Sequence, residues 1–306
     1  MKKDILSILD LNGEELSDIM ALAGELKSER KNGVFPDLLY KKSVGLIFEK
    51  ASTRTRISFE TGIFELGGHP LFLNPGDMQL GRGEIIADTA RVLSRYLSAI
   101  MMRSYSHKTV EELALHSTIP VINGLSDEEH PCQILADIMT MRENFGDDLS
   151  SLTVAWIGDG NNVCNSLMLS SALTGYSVNV ATPPAYRPPE KYIQMVEKAG
   201  AKVELFDNPR EAVKEADVIY TDTWISMGCE DEKEARINAF KDYRVDSSLL
   251  RDCGTGTIVL HCLPAHRGEE ISDEVMDGPA GRVWDQAENR LHAQKALLVK
   301  LLGSDL

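Results

Sequence analysis

The chain has 306 residues, a formal net charge of −15 and a composition of 43% hydrophobic and 26% charged residues, as in ordinary globular proteins. The length favours two domains, and the negative charge argues against a nucleic-acid or anionic-membrane partner. No stretch approaches the roughly 18 apolar residues of a membrane span, and the charged start Met1-Lys2-Lys3-Asp4 is unlike a signal peptide. The five cysteines are odd in number and scattered, which favours free thiols in a reducing compartment. We therefore expect a cytoplasmic protein.

In the first half of the chain, short apolar runs of strand length alternate with segments of helical spacing. Ile, Leu and Met at helical intervals predict one helix over residues 4–31. The strands that follow are predicted at 43–48, 69–73, 99–102 and 120–124. Helices are predicted after residue 52, over about 85–97 and 107–116, and from Pro131 onward. Between the second strand and its helix, 74–83 is a loop rich in Gly and Pro. Such alternation implies parallel βαβ units.

The polar, glycine-led segment 146–151 indicates a domain boundary, because a new strand follows it directly. In the second half, strands are predicted at 153–157, 178–182, 202–206, 217–222 and 257–262. Helices are predicted at about 162–174, 188–199, 209–216, 234–241, 246–252 and 287–302. We predict an α/β protein of two domains, each a parallel β-sheet flanked by helices, joined by interdomain helices. The predicted bounds are 1–147, 148–285 and a C-terminal helix, 286–306, that returns to the first domain.

The most distinctive segment is Ser52-Thr53-Arg54-Thr55-Arg56, which lies between the first strand and its helix. A helix N-terminus offers backbone N–H donors and partial positive charge, and arginine adds a planar donor fork that suits phosphate. The segment therefore predicts an anion site. The alternative is that Ser52 or Thr53 only caps the helix while the arginines face solvent.

Several other residues with chemically useful side chains follow predicted strands. In parallel sheets, ligands bind beyond the carboxyl ends of the strands. The residues at or just beyond such ends are Ser52, Arg103, His130, Asn162, Asp222 and Cys262. Their shared position predicts that they contribute to ligand binding.

His130 and Gln133 lie three residues apart in the first turn of a helix, so their side chains share one face. A histidine there tends to stay neutral, and it can polarise a carbonyl through one ring nitrogen. The alternative is a surface histidine with no role in binding. Asn161 and Asn162 could likewise bind a ligand through their amides, or cap the following helix.

Asp222 ends a predicted strand and could pair with an ammonium group, or it could cap a helix. Gly158-Asp-Gly160 is a weak dinucleotide-binding signal, because Val163 stands where a third glycine is needed. The segment from His261 to His266 contains His and Cys, but its spacing fits no common zinc pattern. Leu263-Pro264, at a strand end, is a place where a cis peptide could matter.

Four motifs occur together in a fixed order: Ser-Thr-Arg-Thr-Arg from Ser52, His-Pro-Cys-Gln from His130, Asp-x3-Ser-Met-Gly from Asp222, and His-Cys-Leu-Pro from His261. This set resembles the aspartate/ornithine carbamoyltransferase family, and in particular its ornithine-specific members. The resemblance covers essentially the whole chain, including 78–84 and 288–294. It implies transfer of the carbamoyl group of carbamoyl phosphate to the δ-amine of L-ornithine, giving L-citrulline and phosphate. The remaining alternatives are transfer to another amine such as putrescine, and a non-catalytic homologue.

The resemblance also implies where each substrate binds. The first domain would bind carbamoyl phosphate and the second would bind ornithine, with domain closure expected to accompany the reaction. The residues implied for carbamoyl phosphate are Ser52, Thr53, Arg54, Thr55, Gln79, Arg103, His130, Gln133, Cys262, Leu263 and Arg290. The residues implied for ornithine are Asn162, Asp222, Ser226, Met227, Cys262 and Leu263. The residues implied to take part directly in catalysis are Arg54, Arg103, His130 and Cys262.

The family comparison implies neither a metal nor an organic cofactor. It implies a homo-oligomer, a trimer or an assembly of trimers, in which Gln79 reaches the active site of a neighbouring subunit. It also implies a role in arginine metabolism, in which arginine biosynthesis and arginine breakdown both stay open because the two directions use one site. Arg56 receives no role beyond bracing its helix.

Overall fold

The computed structural model describes residues 4–226 and 230–303. The chain divides into two compact units. The first unit contains the residues up to Met139 and those from Glu288 onward, and the second unit is Thr140–Ala287. Within the described residues, no helix is both long enough and apolar enough to cross a membrane.

The first unit is built on a four-stranded parallel sheet. Its strands are Ser43–Phe48 (β1), His69–Leu73 (β2), Ala99–Arg103 (β3) and Val121–Leu125 (β4), in the spatial order β2-β1-β3-β4. Its helices are Gly13–Lys31 (α1), Thr53–Glu65 (α2), Ile86–Tyr96 (α3), His107–His116 (α4) and Pro131–Phe145 (α5), the last of which continues into the second unit. The strands β1 and β3 are almost entirely buried, as expected for a parallel sheet covered on both faces.

The N-terminal segment differs from the prediction of one continuous helix over 4–31. Ile5 instead extends the sheet, because its N–H donates to Val121 O and its C=O accepts from Asn123 N–H, at 2.9 and 2.8 Å. A short 3-10 turn follows at Ile8–Asp10, and α1 begins only after Asn12. Asn12 and Glu15 form a capping box, which starts a new helix there. The apolar spacing was correct for α1 but could not reveal the strand-like pairing before it.

The second unit is built on a five-stranded parallel sheet. Its strands are Thr153–Ile157 (β5), Ser177–Ala181 (β6), Val203–Phe206 (β7), Val218–Thr221 (β8) and Ile258–His261 (β9), in the order β7-β6-β5-β8-β9. Its helices are Asn162–Thr174 (α6), Glu190–Lys198 (α7), Pro209–Ala212 (α8), Lys233–Phe240 (α9), Ser247–Leu250 (α10), Asp273–Met276 (α11) and the start of Val283–Leu302 (α12). The helix α12 then runs on into the first unit.

In both sheets the order of the strands reverses beside the first strand. In the first unit the chain moves from β1 outward to β2 and then returns to the other side of β1 to form β3. In the second unit it moves from β5 to β6 and β7 and returns beside β5 to form β8. Because of this reversal, the connections that follow β1 and β3 lead away from each other in opposite directions along the sheet. The same holds for the connections that follow β5 and β8. A crevice at the carboxyl ends of such strands is the usual ligand position in open α/β sheets.

The predicted fold class, two parallel α/β domains, is confirmed. Several element ends differ. The helix predicted over 209–216 ends at Ala212, and Glu215 shortly beyond it adopts a left-handed backbone with φ of 62°. The strand predicted to end at Cys262 ends at His261, and the last helix begins at Val283 rather than near 287. The 74–83 loop contains two 3-10 turns, Pro75–Asp77 and Gln79–Arg82.

Candidate functional site

The helix α2 begins with a side-chain cap. Ser52 is in an extended conformation (φ −158°, ψ 119°), and its Oγ accepts a hydrogen bond from the Thr55 N–H at 3.2 Å. The capping interpretation is therefore correct for Ser52. A cap uses only part of the donor set at a helix start, so it does not exclude an anion site. Thr53 is exposed, Arg54 is half-buried and Thr55 is buried.

A buried polar cluster lies beside this helix start, within the first unit. It joins residues from four separate parts of the sequence: the end of β3, the start of α5, the first turn of α2 and the middle of α12. Its members are Thr55, Arg103, His130, Gln133 and Arg290, each at most 7% exposed. The Arg290 guanidinium donates from Nη1 to Gln133 Oε1 at 2.7 Å and from Nη2 to Thr55 Oγ1 at 3.0 Å. Tertiary structure thus brings together five of the residues that the sequence indicated.

Burial, together with the charges of this cluster, favours the neutral form of His130. Burial lowers the pKa of His130 well below its ordinary value, and the positive charges of Arg290 and Arg103 lower it further. A neutral imidazole can donate a hydrogen bond from its one N–H to a carbonyl oxygen without giving up the proton. Burial also raises the pKa of the neighbouring Cys132 thiol to about 12, so Cys132 stays protonated and is not a candidate nucleophile.

Two further residues of this region are outside the cluster. Arg56 forms an ion pair with Glu60 across 2.9 Å and stacks over the Phe72 ring, with 3.6 Å between the guanidinium carbon and the ring centroid. Arg56 therefore braces α2 against β2. Gln79 is exposed and begins the second 3-10 turn of the 74–83 loop.

In the second unit, Asn161 joins the start of α6 to the end of β8. Its Oδ1 accepts from the Val163 and Cys164 N–H groups at 3.0 and 3.1 Å, which caps α6. Its Nδ2 donates to Asp222 Oδ2 at 2.7 Å. The expected cap is confirmed for Asn161, and the same side chain also anchors the carboxylate. Asn162, the first residue of α6, is half-buried.

Asp222 is held from both carboxylate oxygens. Asn161 donates to Oδ2, and the backbone N–H of Thr223 donates to Oδ1 at 2.8 Å. The carboxylate is 8% exposed, directly after β8. A buried, fixed carboxylate with partial access suits an ammonium partner. Ser226 is half-buried, whereas Met227 lies outside the described residues.

Cys262 and Leu263 follow β9 in a turn held by His261. The Leu263 N–H donates to His261 Nδ1 at 2.9 Å, so the other ring nitrogen, Nε2, carries the proton and donates to Glu270 Oε1 at 3.1 Å. Both His261 and Glu270 are buried. Leu263 has a left-handed φ of 60°, and the Leu263–Pro264 peptide is cis. The turn presents Cys262 and Leu263 half-exposed at the sheet edge.

Two groups of described residues bring donor atoms for a cation within 4.8 Å of one another: Asp222, His261 and Cys262, and His266, Glu269 and Glu270. In the first group both His261 nitrogens already have protein partners. In the second, His266 Nδ1 lies 2.9 Å from Thr223 Oγ1. The absence of a resident metal stays a prediction from the sequence.

Sequence reasoning assigned no role to three residues that hold the candidate site in place. Gln294 packs against Arg290, Glu270 fixes the His261 ring, and Arg236 joins Asp159 to the Trp224 carbonyl at 2.9 and 3.1 Å. Arg236 and Asp159 are 77 residues apart, and Gln294 also contacts Ser58, which is 236 residues away, so no local pattern reveals these contacts. The family-like segment 288–294 was the only signal that pointed toward Gln294.

The chain belongs to the aspartate/ornithine carbamoyltransferase family. Residues 3–143 match the carbamoyl-P binding domain of that family, and residues 150–301 match its Asp/Orn binding domain. The two matched regions cover nearly the whole chain.

Sequence and structural relatives support this family membership. The chain is 60% identical over 306 residues to an ornithine carbamoyltransferase of Methanoculleus marisnigri, covering 100% of this chain and 99% of the relative. It is also 60% identical to one of Methanospirillum hungatei, over 99% of this chain and 100% of the relative. Among solved structures, the ornithine carbamoyltransferase of Pyrococcus furiosus superposes with a TM-score of 0.95 at 50% identity, covering 99% of this chain and 98% of that one.

Proposed function

We propose that the chain transfers the carbamoyl group of carbamoyl phosphate to the δ-amine of L-ornithine, giving L-citrulline and phosphate. It is an ornithine carbamoyltransferase by activity, and the names of its relatives favour this reaction over transfer to putrescine. The observation that carries the proposal is the buried cluster in which Arg290 bonds to both Thr55 and Gln133. That cluster concentrates positive charge in a protein whose net charge is −15.

In this proposal the phosphate group binds at the start of α2. Ser52, Thr53, Arg54 and Thr55 supply backbone and side-chain donors there, with Arg54 as the main guanidinium fork. Arg290 contributes a second guanidinium from α12. The support is that Thr55 and Arg290 are in direct contact, at 3.0 Å, while Arg54 lies in the same first helical turn.

The carbonyl oxygen of carbamoyl phosphate is proposed to face Arg103, His130 and Thr55. When the amine attacks the carbonyl carbon, the C–O bond to phosphate breaks and negative charge passes through the carbonyl oxygen to the leaving phosphate. Donors that are already oriented stabilise this charge, and loss of one typically costs about a hundredfold or more in rate. His130 is neutral at physiological pH, so it serves as a hydrogen-bond donor. Gln133 is proposed to hold the carbamoyl amide.

Ornithine is proposed to bind to the second unit. Asp222 takes its α-ammonium group, while Asn162, Ser226 and the backbone of Met227 position its α-carboxylate. Cys262, with Leu263, is proposed to approach the reacting groups, so that the thiol lies near the δ-amine. The support for Asp222 is its fixed carboxylate, which two donors hold directly after β8.

We also propose a trimer or an assembly of trimers, in which Gln79 reaches the carbamoyl phosphate of a neighbouring subunit. Gln79 is exposed, and so are the apolar side chains of Ile57 and Phe64 on α2, at 56% and 75%. Ile57 and Phe64 are seven residues apart and so share one face of α2, and exposed apolar side chains that share a face support a protein contact there. Among the described residues, Cys132, Cys164, Cys253 and Cys262 form no disulfide, which fits the proposed cytoplasmic location. Arginine biosynthesis is the proposed pathway.

The experiment that tests the function is a product assay with carbamoyl phosphate and four acceptors in parallel: L-ornithine, putrescine, L-aspartate and N-acetylornithine. We expect citrulline from ornithine at a rate at least a hundredfold above the rate with any other acceptor. A preference for putrescine would contradict the role of the α-ammonium and α-carboxylate contacts. No turnover with any acceptor would indicate a binding protein.

A further inference from the structure

Gln294 lies behind Arg290 in the first unit, on the side of the guanidinium that the proposed mechanism does not use. It is one helical turn further along α12 and is 1% exposed. Ser58, one turn beyond Thr55 on α2, is 9% exposed and contacts the Gln294 amide. Gln294 therefore bridges the helix that carries Arg290 and the helix that carries Thr55.

The hydrogen-bonding partners determine which way the Gln294 amide points. The single Ser58 hydroxyl proton is directed at the Thr55 carbonyl at 3.2 Å, so Ser58 Oγ accepts from the Gln294 amide nitrogen at 2.5 Å. The same nitrogen donates to the Arg290 carbonyl at 3.1 Å. The amide oxygen then faces the guanidinium and accepts from Arg290 Nε at 3.2 Å and from Nη2 at 2.9 Å.

Gln294 thus holds one edge of the guanidinium by two hydrogen bonds. The opposite part of the same group contacts Gln133 through Nη1 and Thr55 through Nη2. Arginine has many rotamers, so an Arg that binds a substrate loses entropy unless the protein already fixes it. Within the guanidinium, Gln294 bonds only to Nε and to one side of Nη2, and it thereby fixes the side chain. The N–H groups that bond to Gln133 and Thr55 can then exchange these partners for phosphate oxygens.

We propose that Gln294 is a positioning residue for Arg290, and that Ser58 orients the Gln294 amide for this task. Gln294 touches no substrate; it acts through the guanidinium that it holds. The inference rests on the proposed function, because Arg290 is assigned there to the phosphate of carbamoyl phosphate. Its ligand chemistry is therefore that of a phosphate or phosphoryl group.

The test is Gln294→Leu, which keeps the approximate size of the side chain and removes the amide. We expect the KM for carbamoyl phosphate and the inhibition constant of inorganic phosphate to rise about tenfold, with the KM for ornithine unchanged. Ser58→Ala should raise the same two constants about threefold. In the double variant the two effects should not multiply, because Ser58 acts only through Gln294.

A matched control separates positioning from lost stability. Lys295 is the next residue of α12 after Gln294, and its Nζ forms a buried ion pair with Glu65 Oε2 at 3.0 Å. Lys295→Met removes this ion pair. It should lower the melting temperature and leave the phosphate inhibition constant unchanged. The inference is wrong if the wild-type enzyme makes citrulline but Gln294→Leu and Ser58→Ala both keep the wild-type KM for carbamoyl phosphate and the wild-type inhibition constant of inorganic phosphate. If the wild-type enzyme makes no citrulline, the proposed function fails instead. Should Gln294→Leu not fold, Ser58→Ala carries the test.

Discussion

Asn161 donates a hydrogen bond from its Nδ2 to Oδ2 of Asp222 across 2.7 Å, and its Oδ1 caps α6 at the same time. The two residues end or follow β5 and β8, which are neighbours at the point where the strand order reverses. One amide therefore sets both the start of the helix and the orientation of the carboxylate. Any change at Asn161 should affect ornithine binding even though Asp222 is intact.

Asn161→Ser tests this relationship, because serine still caps a helix but its hydroxyl is too short to reach Asp222. Loss of a hydrogen bond to a charged group costs about 1.5–3 kcal/mol, so we expect the ornithine KM to rise about tenfold or more. The KM for carbamoyl phosphate should stay unchanged. The comparison variant is Asp222→Asn, which should raise the ornithine KM by orders of magnitude. A normal ornithine KM in Asn161→Ser would show that Thr223 alone holds the carboxylate.

Arg54→Ala removes the guanidinium proposed as the main phosphate fork. We expect turnover to fall by at least a hundredfold and carbamoyl phosphate binding to weaken, because charge on the leaving phosphate loses a donor. Arg56→Ala is the matched control on the same helix, since Arg56 is occupied by Glu60 and Phe72. Steady-state kinetics with varied carbamoyl phosphate measures turnover and the KM for carbamoyl phosphate in both variants. An unchanged kcat/KM for carbamoyl phosphate in Arg54→Ala would exclude this assignment.

The pH dependence of the reaction should follow the amine substrate. A lysine-like amine with a pKa of ~10.4 is only about 0.4% neutral at pH 8, and only the neutral form attacks. We expect kcat/KM for ornithine to rise toward alkaline pH, most steeply near pH 7 and less steeply as the α-ammonium group that Asp222 binds loses its own proton. His130 should add no step near pH 6.5, because burial and its two arginine neighbours lower its pKa well below that value. A flat profile from pH 6 to 9 would contradict the prediction.

His292 should make the fold less stable in acid. Burial lowers its pKa below the ordinary value, and the charges of Lys27 and Lys295 act in the same direction, against the contact with Glu288. The unfolded chain therefore takes up a proton as the pH falls below about 6.5, whereas the folded chain takes it up only at a lower pH, so stability is lost between the two pKa values. For one proton the slope of this loss cannot exceed about 1.4 kcal/mol per pH unit. The loss is absent above about pH 6.5, where both states are neutral.

Urea unfolding between pH 5 and 7.5 measures this loss. His292→Gln, which cannot be protonated, should flatten the decline below pH 6.5 and leave the slope above pH 7 unchanged. An acid slope identical to that of the wild type would show that other groups dominate.

Gly160→Ala tests the space beside the start of α6. A Cβ at Gly160 would lie 2.2 Å from Pro188 N and 2.6 Å from the Arg187 carbonyl carbon, which are backbone or ring-fixed atoms. The loop must move, at a cost of about 1–3 kcal/mol. We expect a lower melting temperature together with a raised ornithine KM, because Asn161 follows directly. Gly254→Ala is the control, since no atom lies within 4 Å of its added Cβ.

Local properties of the sequence determine many of the strands, the helix caps and several candidate site residues of this protein. Apolar periodicity predicts β1, β2 and β5 with their observed bounds. Local sequence also offers Ser52 or Thr53 as a helix cap, because capping needs only a side-chain oxygen near the first free N–H groups, and Ser52 is the residue that caps. The alternation of strands and helices was enough to predict parallel sheets. Because parallel strands share a carboxyl edge, it was also enough to select Arg103 and Asp222 as candidates.

Only the tertiary structure decided which of these residues meet. The strand orders place β3 beside β1 and β8 beside β5, and no periodicity contains that information. The pairing of Ile5 with β4, and the contacts of Gln294 with Ser58 and of Arg236 with Asp159, join residues that are far apart in sequence. A local pattern reports what one residue needs from its near neighbours in sequence. Which distant partner supplies a missing hydrogen bond depends on how the strands order and the helices pack.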